Sequence, residues 1–153
     1  MLMRDGCDRV WAAFHEAGHF VIGHTYGESE YAELLDDEEN CGQTKYKHNL
    51  IDIEQKACVL ILLAGPLAEL KYRQKTEKCV SIEETGSNDI YQAKKRLGWN
   101  PFVESDEIYI EQLVPYENSA KMLVSDAWKT IETVAKQLIE KGRVTNAELD
   151  KLG

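Results

Sequence analysis

Apolar residues recur at helical spacing along most of the chain. From about residue 5 to residue 26 they return every three or four positions, which predicts an amphipathic helix that ends at Gly27. A second helix is predicted to begin after Asp52, as its N-cap, and to run past Leu70. It is apolar nearly all round, which is typical of a buried central helix, and Pro66 is expected to kink or split it.

The second half of the chain repeats this helical pattern. Residues 76–86 have no periodicity and are predicted to form a loop. Ser87 then caps a third predicted helix, which Gly98 ends. A long amphipathic pattern covers residues 116–141 and predicts a single helix.

Two short segments alternate like strands, and one short helix closes the chain. Tyr31–Leu35 and Gln43–Lys47 are the predicted strands. Thr145 and Glu148 are spaced as a capping box for the last helix. The pattern therefore predicts a mainly α fold, with about five helices, a small β element and one domain over all 153 residues.

The charge balance excludes two classes of partner. Lys plus Arg number 18 and Asp plus Glu number 27, so the formal net charge is −9. Nucleic acids and anionic membranes bind clustered positive charge, and neither is expected to bind here. The longest apolar run, Ala57–Gly65, is too short to cross a bilayer, and the first residues lack the layout of a signal peptide. We therefore expect no membrane segment and a cytoplasmic location.

The four cysteines do not form a metal or disulfide signature. Cys7, Cys41, Cys58 and Cys79 show no CxxC spacing. This spacing favours free thiols in a reducing compartment, with one or two disulfides as the alternative.

The clearest chemical signal is a His-Glu-Ala-Gly-His sequence within the first predicted helix. One helical turn separates His15 from His19, so their side chains point within about 40° of one another and reach the same metal ion. Glu16 lies about 100° around the helix, where a general base for a zinc-activated water belongs. The composition predicts about 0.01 chance occurrences of this motif. The alternative, two core histidines with a surface glutamate, would require a separate polar partner for each buried imidazole.

A catalytic zinc site needs a third protein ligand. His24 falls on the opposite face of the helix from His15 and is excluded, while His48 lies in a predicted loop and is a weak candidate. Carboxylates are favoured, and Glu69 and Asp89 are the two that stand out. Spacing alone does not choose between them.

Three motifs, in order, resemble those of FtsH-type zinc peptidases (the M41 family). They are the His15–His19 motif, a glycine-containing segment ending in Ala-Glu at Leu63–Glu69, and a segment with an Asn-Asp pair at Thr85–Ala93. The resemblance covers about residues 10–150. It implies a mainly helical zinc-peptidase domain with a small β element beside the cleft.

The resemblance also implies roles for individual residues. Asp89 corresponds to the third zinc ligand of the family, which leaves Glu69 to hold the free N–H of a ligand histidine from behind. The edge strand beside the cleft corresponds to the second predicted strand, so Gln43, Thr44 and Lys45 are the expected contacts to substrate backbone.

The function that the resemblance implies is a zinc-dependent endopeptidase with Glu16 as its general base, acting on polypeptide substrates. Family members usually carry an AAA+ ATPase and membrane segments ahead of the peptidase, whereas only 14 residues precede His15 here. We therefore expect a stand-alone peptidase unit, with either a homo-oligomer or a separate AAA+ ATPase as its assembly partner. The alternatives are a non-catalytic zinc-binding module that binds a partner such as an ATPase-protease, and hydrolysis of a non-peptide amide.

Overall fold

The computed structural model describes residues 2–4, 7–36, 41–77 and 79–152. In this part of the chain six α-helices enclose one hydrophobic core, and a three-stranded antiparallel sheet lies beside them. The prediction of a mainly α fold with a small β element is confirmed. In chain order the elements are β1 (Leu2–Arg4), β2 (Cys7–Asp8), α1 (Arg9–Thr25), β3 (Ser29–Leu34), β4 (Gly42–Tyr46), α2 (Gln55–Arg73), α3 (Ile82–Arg96), α4 (Glu107–Asp126), α5 (Trp128–Lys141), β5 (Arg143–Thr145) and α6 (Asn146–Asp150).

Helix α1, which carries the histidine motif, is capped at both ends by local chemistry. The Asp8 carboxylate accepts hydrogen bonds from the backbone N–H groups of Val10 (2.9 Å) and Trp11 (3.1 Å), so the helix starts a few residues later than predicted. At its other end Gly27 has φ +73°, the left-handed conformation that a helix-ending glycine adopts. The predicted end of α1 is thus confirmed.

Helix α2 is the buried centre of the fold, as its all-round apolar sequence predicts. It packs against α1 at Gly18, where an added Cβ would lie 2.4 Å from the backbone oxygen of Ala64. Only glycine permits this close approach of the two backbones. Within the described ranges, no helix combines the length and the hydropathy needed to cross a membrane.

The start of α2 differs from the prediction, and of the two outcomes expected at Pro66, a kink or a split, the split does not occur. Asp52 ends a short 3-10 turn instead of capping the helix, and Glu54 is the N-cap, accepting from two backbone N–H groups. Pro66 lies within one uninterrupted helix and does not split it. The proline removes one backbone hydrogen bond, but the burial of α2 on both sides of residue 66 outweighs that loss.

Helix α3 begins earlier than predicted, so the prediction of a loop over residues 76–86 is wrong from Ile82 onward. Ser81 caps the helix by accepting a hydrogen bond from the backbone N–H of Glu84. Gly86 has non-helical angles, φ −174° and ψ 55°, so α3 is two helical segments that meet at a bend, and the second segment begins at Ser87, where the sequence predicts the helix. A Cβ on Gly86 would lie 2.3 Å from Cγ of Pro66, so the bend passes directly over α2.

The long helix predicted over residues 116–141 is two helices, which is why the fold has six instead of about five. Ala127 separates α4 from α5 with φ −95° and ψ 10°. Neither glycine nor proline marks the break. Helix α4 packs mainly on α2 and α5 mainly on α1, so tertiary packing sets the two directions. The capping box of Thr145 and Glu148 at α6 is confirmed.

The three-stranded sheet has the order β4–β3–β5. Strand β3 is central, and its Ala32 pairs with Thr44 on one side and Val144 on the other. Both predicted strands are present with ends shifted by one or two residues, whereas β5 was not predicted. Strand β4 pairs on one side only within this sheet and is therefore an edge strand.

The cysteines match each of the two alternatives in part, because the described ones include both free thiols and a disulfide-bonded residue. Cys41 is disulfide-bonded, while Cys58 is a buried free thiol and Cys79 an exposed one. Cys58 and Cys79 thus follow the favoured prediction of free thiols, and Cys41 follows the alternative of a disulfide.

Candidate metal centre and cleft

Three side-chain atoms meet between α1 and α3. Nε2 of His15 lies 2.9 Å from Oδ2 of Asp89, and Nε2 of His19 lies 3.2 Å from the same oxygen. The two Nε2 atoms are 3.2 Å apart. The histidines come from successive turns of α1, and Asp89 follows the bend of α3. Among the described residues this is the group of potential metal ligands that lies close enough to bind one ion.

The partners of the two Nδ1 atoms determine how the imidazoles face the cluster. Nδ1 of His15 lies 3.0 Å from Oε1 of Glu69, and Nδ1 of His19 lies 2.8 Å from the backbone oxygen of Ile61. Both partners are acceptors, so each Nδ1 carries the proton and donates it. In a neutral ring each Nε2 then presents a lone pair to the cluster.

The donor set fits a zinc ion. Two Nε2 lone pairs and a carboxylate oxygen face one another with no donor between them, an arrangement that only a proton or a metal cation stabilises. Zinc bonds of about 2.0–2.1 Å in a tetrahedral site separate neighbouring ligand atoms by about 3.3 Å. The observed separations of 2.9–3.2 Å are close to that value. Gly65 keeps the site open, since a Cβ there would lie 2.3 Å from Nε2 of His19.

The electrostatics of the cluster favour positive charge. Burial by itself would lower the pKa of both imidazoles, but the hydrogen bonds to Asp89 and Glu69 raise the pKa of His15 well above its usual value. The charge of Asp89 likewise raises the pKa of His19. Burial opposes ionisation of Asp89, yet the two histidines hold the pKa of its carboxyl well below the usual range. Protons and a metal cation therefore compete for the same three atoms.

Glu16 flanks the cluster and is held by strand β4. The hydroxyl of Thr44 lies 2.9 Å from Oε1 of Glu16 and donates to it. A Cβ on Gly42 would lie 2.8 Å from Cγ of Glu16, so the strand backbone packs directly on this side chain. The Glu16 carboxylate is close enough for its charge to raise the pKa of both His15 and His19. Glu16 thus places a carboxylate beside the three converging atoms without being one of their residues.

The cluster opens into a cleft of about 710 Å³ between β4 and the first half of α3. Gln43 and Thr44 line this cleft, and Lys45 lines an adjoining cavity of about 490 Å³ that shares Thr44 and Tyr46 with it. A third cavity, of about 340 Å³, adjoins on the other side at Gly42. The three cavities together follow the edge strand past the cluster.

The other histidines lie elsewhere. His24 pairs with Asp150 at 2.9 Å, near the end of the chain. His48 pairs with Glu28 at 2.9 Å, and its side chain is 69% exposed. The structure therefore places neither histidine near the cluster. Spacing left Asp89 and Glu69 as alternatives, and the structure brings Asp89 to the Nε2 atoms and Glu69 to Nδ1 of His15.

Sequence reasoning missed three contributors to this site. The hydroxyl of Thr44 binds Glu16, whereas Thr44 was expected only as a substrate contact. The carbonyl of Ile61 has no sequence signal, because every residue carries one. Arg73 donates from Nη1 to Oε2 of Glu69 at 3.0 Å, and its position four residues after Glu69 is the signal that was available.

No protein-family model matches this chain, and no curated protein matches its sequence significantly. The resemblance to FtsH-type zinc peptidases is therefore carried by the three sequence motifs. The geometry of the cluster stands independently of that resemblance, because it follows from distances within this chain.

Proposed function

We propose that this protein is a zinc-dependent metallopeptidase with a peptidase unit of the FtsH type. The observation that carries the proposal is the convergence of His15, His19 and Asp89 beside the Glu16 carboxylate. One helix supplies two ligands and the flanking carboxylate, and a second helix supplies the third ligand. This is the arrangement that hydrolysis by a metal-activated water requires.

In this proposal each residue has a defined task. His15, His19 and Asp89 would hold Zn²⁺, and the bound ion would supply Lewis-acid chemistry, lowering the pKa of water towards about 7 and polarising the substrate carbonyl. The Glu16 carboxylate takes a proton from the attacking water and delivers it to the leaving amine. Thr44 binds one carboxylate oxygen of Glu16 and so orients the other for proton transfer.

The substrate class follows from the strand beside the cleft. Strand β4 is an edge strand, and an extended peptide that adds to such an edge gains main-chain hydrogen bonds. Gln43 and Thr44 line the cleft beside the cluster and Lys45 lines the adjoining cavity, so we propose that these three residues contact the substrate backbone. Unfolded segments and short peptides, which reach an edge strand in extended form, are the substrates expected. From the resemblance we also propose that the protein assembles either with copies of itself or with a separate AAA+ ATPase.

Cleavage of casein by purified protein, with and without a metal chelator, tests the proposal. We expect about one zinc per chain and cleavage that the chelator abolishes and added zinc restores. Glu16→Gln should keep the zinc and lose about 10²- to 10⁴-fold in rate, the range that a general base contributes. The matched control is Glu111→Gln, an exposed glutamate of α4, which should cleave at the wild-type rate.

Two outcomes would contradict the peptidase proposal in different ways. Bound zinc without chelator-sensitive cleavage would indicate the non-catalytic zinc module instead. Turnover of non-peptide amides without cleavage of casein or short peptides would indicate an amide hydrolase that uses the same residues.

A further inference from the structure

We infer that Arg73 is a positioning residue for the metal centre, acting through Glu69 on the ligand His15. The inference rests on the proposed zinc site and assigns a task to a residue outside it. Arg73 lies in the last turn of α2, and its side chain is only 9% exposed. A buried guanidinium needs partners for its charge and its donors, so its contacts report what it organises.

Arg73 contacts all three helices that carry or orient the ligands. Its Nη1 donates to Glu69 on α2 at 3.0 Å, and its guanidinium carbon lies 3.7 Å from the ring centroid of Trp11 on α1. Its Nη2 lies 3.9 Å from Oε2 of Glu84 on α3. Its Nε also reaches Oε2 of Glu77 at 3.5 Å. Stacking on the indole holds the guanidinium plane while its nitrogens reach the carboxylates.

These contacts lead to the ligand atoms by short paths. Glu69 uses both carboxylate oxygens, Oε2 for Arg73 and Oε1 for Nδ1 of His15. Trp11 is one helical turn before His15 on α1, and Glu84 precedes Asp89 by five residues on α3. Arg73 therefore fixes the carboxylate that orients His15, and it ties α1 and the start of α3 to α2.

Loss of Arg73 should weaken metal binding. The buried Glu69 carboxylate would lose the hydrogen bond to Oε2 and its cationic partner, so it would no longer be held towards His15. Groups that orient metal ligands typically contribute 10- to 100-fold to metal affinity. A purely electrostatic effect would have the opposite sign, because removing a positive charge near the site would strengthen binding of a cation. The direction of the change therefore separates positioning from charge.

The experiment measures the Kd for Zn²⁺ by competition with a chromophoric chelator. For Arg73→Gln we expect binding about tenfold weaker than wild type. Arg73→Lys keeps the positive charge but not the planar set of N–H donors, so its Kd for Zn²⁺ should lie between those of the wild type and Arg73→Gln. Lys71→Gln, which removes an exposed cation from the same helix, is the matched control and should change Kd by less than about twofold. On a Glu69→Gln background, Arg73→Gln should have little further effect, because the two act through one contact.

The inference is overturned if Arg73→Gln, or Arg73→Lys where the glutamine variant does not fold, binds zinc as tightly as wild type. A lower Tm with an unchanged Kd would show that Arg73 serves the fold alone. Additive effects of the Arg73 and Glu69 variants would also overturn it. A wild-type protein that binds no zinc would instead defeat the proposed function, and the inference with it.

Discussion

Gly65 offers a direct test of the proposed metal centre, because its lack of a side chain makes room for the imidazole of His19. In Gly65→Ala the new Cβ would lie 2.3 Å from Nε2, 2.5 Å from Cδ2 and 2.6 Å from Cε1 of His19. Non-bonded carbon and nitrogen atoms pack at about 3.5 Å, so the imidazole would have to retreat by about 1 Å. Its Nδ1 is held 2.8 Å from the carbonyl of Ile61, which opposes that retreat.

The expected effect on zinc binding is large and the effect on folding is modest. Metal–ligand distances tolerate only about 0.2 Å, so a 1 Å displacement removes His19 from the ligand set. We expect zinc affinity to fall by about 100-fold or more, beyond the usual cost of losing a group that orients a ligand. Overpacking costs about 1–3 kcal/mol, and the helix propensity of alanine returns about 1 kcal/mol. The free energy of unfolding without metal should therefore fall by about 0–2 kcal/mol.

Two measurements on the same protein separate these effects: the Kd for Zn²⁺ by chelator competition, and urea unfolding in the presence of a chelator. Gly27→Ala is the matched control, because its Cβ meets nothing within 4 Å while its φ of +73° strains the backbone. That strain costs about 1–2 kcal/mol with no effect on zinc. Wild-type zinc affinity in Gly65→Ala would refute the placement of His19 against Gly65, and with it the geometry of the cluster.

Two further predictions concern threonine hydroxyl groups. Thr44→Val removes the hydroxyl that donates to Glu16, so we expect peptide cleavage to slow by about tenfold at unchanged zinc content. Thr44→Ser keeps the hydroxyl and should retain most of the rate. A wild-type rate in the valine variant would show that the contact does not orient Glu16. Thr145→Ala removes the capping box with Glu148 and should lower the free energy of unfolding, measured by urea denaturation, by about 1 kcal/mol. Thr145→Ser keeps the hydroxyl and is the conservative control. An equal loss in both variants would assign the effect to the methyl group of threonine instead of its hydroxyl.

The proposed active site depends on close approaches between backbones as much as on its polar side chains. Gly18 brings α1 against α2, Gly65 accepts the ring of His19, and Gly86 lets α3 bend across Pro66. Each glycine occupies a position where a Cβ would lie within 2.6 Å of a neighbouring heavy atom. These contacts place one histidine ring and one carboxylate within 3.2 Å of each other from two different helices.

Local interactions explain why much of the fold was predictable. The spacing of His15 and His19 follows from 3.6 residues per turn, and it survives in the structure because both lie within one helix. The end of α1 at Gly27 and the capping box at Thr145 are likewise local. The apolar sequence of α2 predicts its central position, since a helix that is apolar all round must be buried.

The failures have the opposite origin. The break at Ala127 contradicts local propensity, because packing against α1 and α2 determines where α5 and α4 lie. At Pro66 burial holds α2 together, so of the two expected outcomes, a kink or a split, the split does not occur. The pairing of β5 with β3 joins segments more than a hundred residues apart, which no local pattern records.

Local patterns along the chain are enough to predict the helical class, the histidine pair on one helix face and the residue types available to a metal site. The family motifs implied Asp89 as a ligand and Glu69 behind a histidine. The tertiary structure shows which nitrogen of His15 each carboxylate reaches, and it brings Thr44 to Glu16. The physical reason is range: spacing along one helix fixes directions within that helix, whereas a distance between helices depends on every contact that packs them. Arg73 shows this most plainly, because its pairing with Glu69 is visible four residues away in sequence, but its contacts to α1 and α3 exist only in the folded chain.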